Sequence, residues 1–416
     1  YDISCSLVGS EMCIRDRSGC PKPNKSRVQT IISGGLILTE EEQVVDLLSA
    51  MVKIPSVAAK EGQVADLIET FLAPELKAGL IKRERISYAP GRDNLVLTIG
   101  NPNAQRWLGV DGHMDVVDPG NVNKWQFPPF SAHVEDGKLY GRGATDMKSG
   151  LAAAVVAFKQ AAHEKLDHGI QLMATVGEEV DNDGARQLSA AGYGDRLTGL
   201  LVAEPGNSNV DAAERGIIDY TLTAHGKAAH SSRPDLGANA IHGLFAFANA
   251  ALTATAPLQA KEDPILGHAT HNIDIIHGGN QINSIPESAY LRGNIRTTMI
   301  ADNDAFIAAL KQAAKTTVPK GVRLSLSIDS VLGAAAASPD NDLIQLVQTA
   351  RQRAGLNRGQ VAYRTGITDA ALFYHDGLDL AIYGPGNETS HETDEYVTLK
   401  DVFDSVKVFK DVFMNY

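Results

Sequence analysis

The chain has 416 residues, of which 44% are hydrophobic and 21% are charged, and its formal net charge is −12. This length predicts more than one domain, and the composition is typical of a soluble globular protein. The acidic balance argues against nucleic acid as a partner, since phosphate would be repelled. Apolar runs fall short of the ~20 residues of a membrane span, so no membrane partner is expected.

The first thirty residues differ from the rest of the chain. Cys5, Cys13 and Cys20 all lie there, and charged residues interrupt any signal-peptide core. We expect residues 1–30 to be a non-native or disordered extension, and the protein to be cytoplasmic. Because the remaining sequence lacks cysteine, a thiolate nucleophile and a cysteine-ligated zinc site are excluded there. Histidines and carboxylates must therefore supply any metal ligands.

Helices and strands alternate over residues 36–211. Thr39 and Glu42 form a capping box that predicts a first helix, and Gln63–Leu76 and Lys148–His163 predict two more. Short apolar strands are predicted at Asn94–Ile99, Trp107–Val110, Ile170–Val176 and Leu200–Ala203. Such alternation indicates an α/β fold with a mainly parallel sheet flanked by helices.

The pattern changes over residues 212–330, which we interpret as an inserted domain. Its predicted order is strand, helix, strand, strand, helix, strand, as in a ferredoxin-like α+β sandwich. The elements are Ile217–Ala224, Ala238–Leu252, Asn272–Ile276, Ala289–Thr297, Asp302–Ala314 and Val322–Ile328. The first pattern resumes over residues 331–416, and we expect hinges near residues 211–214 and 328–337.

Acidic residues and histidines follow the predicted strands where each strand ends. His113, the pair Glu178 and Glu179, and Glu204 each come after an apolar strand, and the loop with His391 follows Leu380–Tyr383. Because ligands bind at the carboxyl ends of parallel strands, we expect these side chains to share one edge. Imidazole and carboxylate together are the ligand set of zinc or cobalt.

Each of these residues also has a simpler interpretation. His113 alone is typical of a core histidine, Glu178-Glu179 of a helix start, and Glu204 of a strand end. Two adjacent buried carboxylates would repel each other unless a cation neutralises them, which favours the metal site. Residues 143–149 resemble a phosphate-binding loop but lack the glycine before Lys148, so nucleotide binding is the weaker alternative.

The motifs together resemble the di-zinc metallopeptidase and amidohydrolase family that includes succinyl-diaminopimelate desuccinylase, acetylornithine deacetylase, aminoacylases and several dipeptidases. The resemblance covers residues 36–416. The matching segments are Gly112-His113-Met114-Asp115-Val116-Val117, Gly141–Gly150, Gly177-Glu178-Glu179, Glu204-Pro205, Gly226–Ser232, Asn283-Ser284-Ile285-Pro286, Arg296, Gly384-Pro385-Gly386, His391-Glu392 and Asp394-Glu395-Tyr396.

The resemblance implies two zinc ions per subunit, with cobalt as an alternative, and a general base, Glu178. Asp115 would orient His113 through its second nitrogen. A cis peptide between Asp146 and Met147 is also implied. The implied ligands are the bridging Asp146, His113 with Glu204 at one ion, and Glu179 with His391 at the other.

Other implied roles fall in the insert and in a late turn. His230 would donate to the oxyanion from the insert of a second subunit, so a homodimer through the insert is expected. Arg296 and Asn283 would hold a substrate carboxylate, and the turn containing Gly366 and Thr368 would offer backbone N–H groups.

The predicted function is a metal-dependent amidohydrolase that removes an acyl group from an N-acyl amino acid. Succinyl-diaminopimelate desuccinylase is favoured. Acetylornithine deacetylase and a di-zinc dipeptidase or carboxypeptidase acting on short peptides remain alternatives. A metal-free binding protein on the same fold is the alternative from another class.

Overall fold

The computed structural model describes residues 38–416, so the predicted extension 1–30 and its three cysteines lie outside the described residues. The helices are α1 (Glu40–Val52), α2 (Glu61–Phe71), α3 (Ala73–Lys77), α4 (Lys148–Ala161), α5 (Asp183–Ala190), α6 (Ala240–Gln259), α7 (Asn303–Ala313), α8 (Asp342–Arg353), α9 (Ala370–Phe373) and α10 (Leu399–Asn415).

The strands fall into one large sheet, one four-stranded sheet and three smaller ones. They are β1 (Lys82–Ala89), β2 (Arg92–Gly100), β3 (Trp107–His113), β4 (His133–Glu135), β5 (Lys138–Tyr140), β6 (Gly169–Thr175), β7 (Gly199–Val202), β8 (Val210–Glu214), β9 (Gly216–His225), β10 (Ala229–His230), β11 (Glu262–Asp263), β12 (Gly267–His268), β13 (Thr270–Gly278), β14 (Ser284–Ile285), β15 (Ser288–Thr297), β16 (Arg323–Leu332), β17 (Ala335–Ala336), β18 (Val361–Arg364), β19 (Asp379–Ile382) and β20 (Tyr396–Thr398).

Local sequence explains where the first helices begin and end. The Thr39 hydroxyl accepts from the Glu42 N–H at 3.2 Å, and the Glu42 carboxylate accepts from the Thr39 N–H at 2.8 Å. This is the expected capping box. The predicted helix over 63–76 is instead two helices. Pro74 has no N–H to donate to a preceding turn, so α2 ends at Phe71 and Pro74 sits in the first turn of α3.

The large sheet has the order β1-β2-β6-β3-β7-β19-β8-β17, with β18 also paired to β8. Its central strands β6, β3, β7 and β19 are parallel, as expected, and antiparallel strands flank them. Helices cover both faces, because alternate strand residues enter two different cores. On β2, Leu95 and Leu97 pack with α1, α2, α4 and α10, whereas Val96 packs with α5 on the opposite face.

The four-stranded sheet is antiparallel in the order β13-β15-β9-β16. The chain order β9-α6-β13-β15-α7-β16 is the expected ferredoxin-like one. Helices α6 and α7 cover one face and share a core with alternate residues of β9, among them Ile218, Tyr220 and Leu222.

Helix α6 is long and apolar enough to cross a membrane by length and composition, with a mean hydropathy of 1.2 over its most apolar window. The search for apolar runs in the sequence missed this helix, because Asn249, Thr253 and Thr255 interrupt the run without adding charge. Leu244, Phe247 and Ala251 are buried against the sheet, as in a core helix. Only 28% of the apolar window is buried, so much of the helix surface lies outside this core.

The chain passes from the large sheet to the four-stranded sheet at Arg215 and returns at residues 333–334. Strand β8, which the hydrophobic pattern did not predict, occupies the segment where a hinge was expected. Its Asp211 and Glu214 are buried and hydrogen-bonded to Arg364 and Thr368. The domain boundaries and hinges stay predictions.

Candidate metal centre

Parallel pairing places three of the predicted site segments at one edge of the large sheet. His113 at the end of β3 lies beside Thr175 at the end of β6, and Asp111 lies beside Val202 at the end of β7. Glu178 and Glu179 follow β6, and Glu204 follows β7. All three strands are buried along their whole length, so the side chains at their ends are held by the core.

Two further predicted ligands reach this edge from loops. Asp146 immediately precedes α4, and the peptide bond between Asp146 and Met147 is cis. His391 lies in the loop between β19 and β20 with a backbone φ of +64°. Its side chain is 53% exposed, whereas that of His113 is 1% exposed.

The five predicted ligands form two groups that share one carboxylate. In the first ligand group, His113 Nε2 lies 3.2 Å from Asp146 Oδ1 and 3.3 Å from Glu204 Oε1. In the second ligand group, His391 Nε2 lies 3.4 Å from Asp146 Oδ2 and 2.9 Å from Glu179 Oε2. Potential ligand atoms within each group all lie within 4.8 Å of one another.

Electrostatics indicate that these groups fit cations. Burial alone would raise the pKa of Asp146, but the two imidazoles outweigh it and hold that pKa well below its usual range. Burial likewise opposes charge on His113, yet Asp146 and Glu204 raise the pKa of His113 well above its usual range. The carboxylates of Asp146 and Glu179 raise the pKa of His391 to about 10. Each group therefore attracts positive charge, and Glu179 Oε1 is buried with no hydrogen-bond partner among residues 38–416.

Glu178 faces the first ligand group. Its Oε2 atom lies 4.0 Å from His113 Nε2, and its side chain is 11% exposed. Burial, reinforced by repulsion from Glu204 and Asp369, raises the pKa of Glu178 well above its usual range, against the opposing effect of His113. A buried carboxyl with a raised pKa is suited to accept and return a proton.

Asp115 supports the loop that carries Glu178. Its Oδ1 accepts from the N–H groups of Gly177 at 2.8 Å and Glu178 at 3.1 Å, and its Oδ2 accepts from Glu179 N–H at 3.1 Å. His113 Nδ1 lies 3.0 Å from the backbone oxygen of Asp115 and 3.7 Å from its carboxylate. The imidazole thus contacts the main chain of Asp115, because the carboxylate is engaged by three N–H groups.

His230 and Asn283 lie together in the insert. Strands β10 and β14 pair His230 with Ser284, and Ser231 N–H donates to the Asn283 oxygen at 3.0 Å. The His230 ring is exposed, and its Nδ1 accepts from the Ser232 N–H at 3.1 Å. Because that N–H can only donate, the neutral ring carries its proton on Nε2. Within residues 38–416, no hydrogen bond or ion pair joins His230 to either ligand group.

Within residues 38–416, no hydrogen bond or ion pair joins the remaining predicted binding residues to the ligand groups. Arg296 lies on β15 opposite Ile217 and Thr270, and burial lowers its pKa. Gly366 is exposed in the turn after β18. Thr368 is buried, and its hydroxyl donates to Glu214 Oε2 at 2.8 Å. Its backbone N–H also contacts the Glu214 carboxylate, and its carbonyl accepts from Ala371 N–H at 3.3 Å, so neither is free to serve a ligand.

Several residues around the ligands had no role assigned from the sequence. Arg364 lies 3.4 Å from Glu204 Oε2 and donates to the Pro205 oxygen at 2.8 Å. Asp369 accepts from Thr175 at 2.7 Å, at the end of the strand before Glu178. Glu395 accepts from the Asp146 N–H at 3.0 Å. The only signal for Glu395 was its place in the motif Asp394-Glu395-Tyr396.

Comparison with known proteins identifies the family of this chain. Residues 109–415 match peptidase family M20/M25/M40. The chain belongs to this family. As a member of it, the protein is a hydrolase that acts on an amide bond.

The similarity to individual proteins covers most of the chain. A Staphylococcus aureus (strain MSSA476) protein named probable succinyl-diaminopimelate desuccinylase is 35% identical over 366 residues, covering 81% of this chain and 89% of its own length. The M20-family metallocarboxypeptidase Sso-CP2 from Sulfolobus solfataricus has a TM-score of 0.70 at 17% identity, covering 91% of this chain and 99% of its own. A dinuclear metal-binding M20 peptidase from Bacillus subtilis has a TM-score of 0.63 at 14% identity, covering 90% and 98%. The two structures support the fold.

Proposed function

We propose that the protein acts in the cytoplasm as a succinyl-diaminopimelate desuccinylase, converting N-succinyl-LL-2,6-diaminopimelate and water to succinate and LL-2,6-diaminopimelate. The observation that carries the chemistry is Asp146, whose two oxygens lie 3.2 Å from His113 Nε2 and 3.4 Å from His391 Nε2. One carboxylate placed between two ligand groups suits a pair of divalent cations, here zinc with cobalt as the alternative. The substrate is favoured by relatives that are 31–36% identical and carry this name.

The ligands would be His113, Asp146 and Glu204 at the first group, and Asp146, Glu179 and His391 at the second. When bound, two such cations would polarise the amide carbonyl as Lewis acids and lower the pKa of the attacking water. Glu178 is the base in this proposal: its carboxylate takes the proton of the attacking water and returns it to the leaving amine. Asp115 holds Glu178 through the main chain.

His230 is proposed as the donor to the oxyanion. Its Nδ1 accepts from the Ser232 N–H, which leaves Nε2–H to donate to the oxyanion. Because His230 makes no bond to the ligand groups of its own chain within residues 38–416, we propose that His230 of the partner subunit completes the site. Arg296 and Asn283 in the insert, with the N–H groups near Gly366, would bind the substrate carboxylates.

Exposed apolar side chains in the insert support the proposed homodimer. Ile275 and Ile276 are exposed on β13, which pairs with β15 on one side. Phe245 is 55% exposed on α6, and Ile282 is 99% exposed in the loop that carries Asn283. Exposed apolar side chains around a sheet edge favour association with a second copy.

A hydrolysis panel tests the substrate. Zinc-loaded protein would be given N-succinyl-LL-2,6-diaminopimelate, N-acetylornithine and a set of dipeptides, with Glu178→Gln as the control for contaminating enzymes. We expect kcat/KM for the succinyl compound to exceed the others by at least ~10-fold, since a site with polar groups for the second carboxylate penalises substrates that lack it. Preference for N-acetylornithine or a dipeptide would replace the proposal with that alternative. A metal-free binding protein would hydrolyse none of them.

A further inference from the structure

Glu395 is fully buried and organises the turn that ends at Asp146. Its Oε1 accepts from the N–H groups of Thr145 at 2.8 Å and Asp146 at 3.0 Å, and its Oε2 accepts from Gly143 N–H at 3.1 Å. Pairing of β20 with β5 puts Glu395 there, because Gly141 N–H donates to the Glu395 backbone oxygen at 2.9 Å. The carboxylate thereby fixes the main chain of the shared ligand.

The turn can wrap around this carboxylate only with glycine at residue 143. Gly143 has a φ of +82°, and a Cβ there would lie 2.5 Å from Val116 Cγ1. Backbone N–H groups that converge in this way form a concave anion site. In this protein the carboxylate of Glu395 occupies that site. Burying the carboxylate also requires a nearby positive charge, since an uncompensated buried charge is costly.

Arg142 supplies that charge and reaches the other ligand loop. Its side chain is 3% exposed, and Nη1 donates to Glu395 Oε2 at 2.5 Å. Its Nη2 donates to the backbone oxygen of His391 at 3.2 Å. The Arg142 guanidinium therefore bridges two groups. One is the Glu395 carboxylate, which fixes Asp146, and the other is the main chain of His391, 249 residues after Arg142.

We propose that Arg142 and Glu395 are positioning residues that hold His391 at its working distance from Asp146, so that the second ligand group depends on this ion pair. His391 needs such support because its side chain is half exposed and its backbone is left-handed. The first ligand group shares Asp146 with the second, but its other two ligands have separate support, since Glu204 contacts Arg364 and His113 ends a buried strand. The inference rests on the proposed function only in that both groups bind a cation.

Cation binding to Arg142 variants provides the test. Metal-free protein would be titrated with Co²⁺ by calorimetry and visible absorption, with His391→Ala and His113→Ala defining the signals of the separate groups. We expect Arg142→Met to weaken the second group ~10–100-fold, as loss of a ligand-orienting contact does, and the first group less than ~3-fold. Combined with His391→Ala, Arg142→Met should change cobalt affinity by less than ~3-fold, because its target is already absent.

Arg142→Lys tests whether weaker cobalt binding in Arg142→Met is caused by unfolding alone. Lysine keeps the charge beside Glu395 but cannot serve two acceptors with a planar fork, so the melting temperature should largely recover while the second group stays weakened. Arg85→Met is the matched control, since Arg85 pairs with Glu69, Asp66 and Asp93 and none of these is a ligand. Arg85→Met should lower the melting temperature, while both ligand groups bind cobalt as they do in the wild type.

Three results would overturn the inference: equal weakening of both groups in Arg142→Met, unchanged binding at both, or full recovery of the second group by lysine. A wild-type protein that binds no cobalt would instead contradict the proposed function. The two failures are therefore distinguishable.

Discussion

The backbone N–H of Glu178 donates to the Asp115 carboxylate at 3.1 Å, so the proposed base is held by a residue 63 positions earlier in the chain. The same carboxylate accepts from the residues on either side of Glu178. Gly177 makes this turn possible, since its φ is +75° and a Cβ there would lie 2.9 Å from Arg92 Nη2. Asp115 thus acts on the base loop as well as on the neighbourhood of His113.

Asp115→Asn should therefore damage turnover more than cation binding. The amide can accept through only one oxygen, so at least one of the three N–H groups loses its acceptor and the loop shifts. We expect kcat to fall ~10–100-fold, while His113 keeps its contact with the main chain and the first group still binds a cation. Steady-state kinetics beside cobalt titration would check this. An unchanged kcat would show that the loop does not need Asp115.

Glu178→Gln should separate chemistry from cation binding. Glutamine keeps the size of the side chain but cannot take a proton, so kcat should fall by ~10²–10⁴ while both ligand groups stay occupied. Glu179→Gln is the matched comparison, because it removes a carboxylate ligand and should weaken the second group. Equal kcat in wild type and Glu178→Gln would remove Glu178 as the base.

Cation binding should release protons and strengthen as pH rises. The pKa of His391 is raised to about 10 by Asp146 and Glu179, so its ring carries an extra proton at pH 7, and the same kind of contact raises the pKa of His113 well above its usual range. A cation must displace such a proton to reach the nitrogen atom. Calorimetry in buffers of different ionisation enthalpy should show a net release of protons on cation binding, with His391 contributing one of them. Buffer-independent heats would contradict the assignment of His391 as a ligand.

Acid should destabilise the insert through His271. This ring is buried between Tyr220 Oη at 2.7 Å and Thr255 Oγ1 at 2.8 Å, and burial lowers the pKa of His271 from 6.5 to about 4. The unfolded chain gains a proton there below pH 6.5 but the folded chain only near pH 4. The contribution to stability is therefore fully present above pH 6.5 and lost as pH falls towards 4. We expect a loss on the order of 2–3 kcal/mol, measured by denaturant unfolding.

His271→Gln is the control for this effect. Glutamine can hydrogen-bond to Tyr220 and Thr255 but does not titrate, so the variant should start less stable at pH 7 and lose less on acidification. An equal loss in the variant and the wild type would assign the acid sensitivity to other groups.

Site residues could be predicted from the sequence where a single physical pattern places them. His113, Glu178, Glu179 and Glu204 follow buried parallel strands, so strand ends alone indicated a shared edge, and the structure brings them together. Asp146 lies in a turn with no such pattern, and its ligand role came from the family resemblance.

Long-range ion pairs could not be found in this way. Glu395 and Arg142 are 253 residues apart, and Arg364 and Glu204 are 160 apart, so no local period relates them. Strand β8 was missed for a related reason. Asp211 and Glu214 break its apolar pattern, and only the folded chain shows that Arg364 and Thr368 satisfy them.

Cation stoichiometry tests the central claim most directly. Metal-free wild-type protein titrated with zinc should take up about two ions per chain, one for each ligand group, and His391→Ala and His113→Ala should each take up about one. Hydrolysis of the succinyl amide should return with the zinc. A wild-type chain that binds no zinc, or that hydrolyses the amide equally well without any divalent cation, would contradict the account.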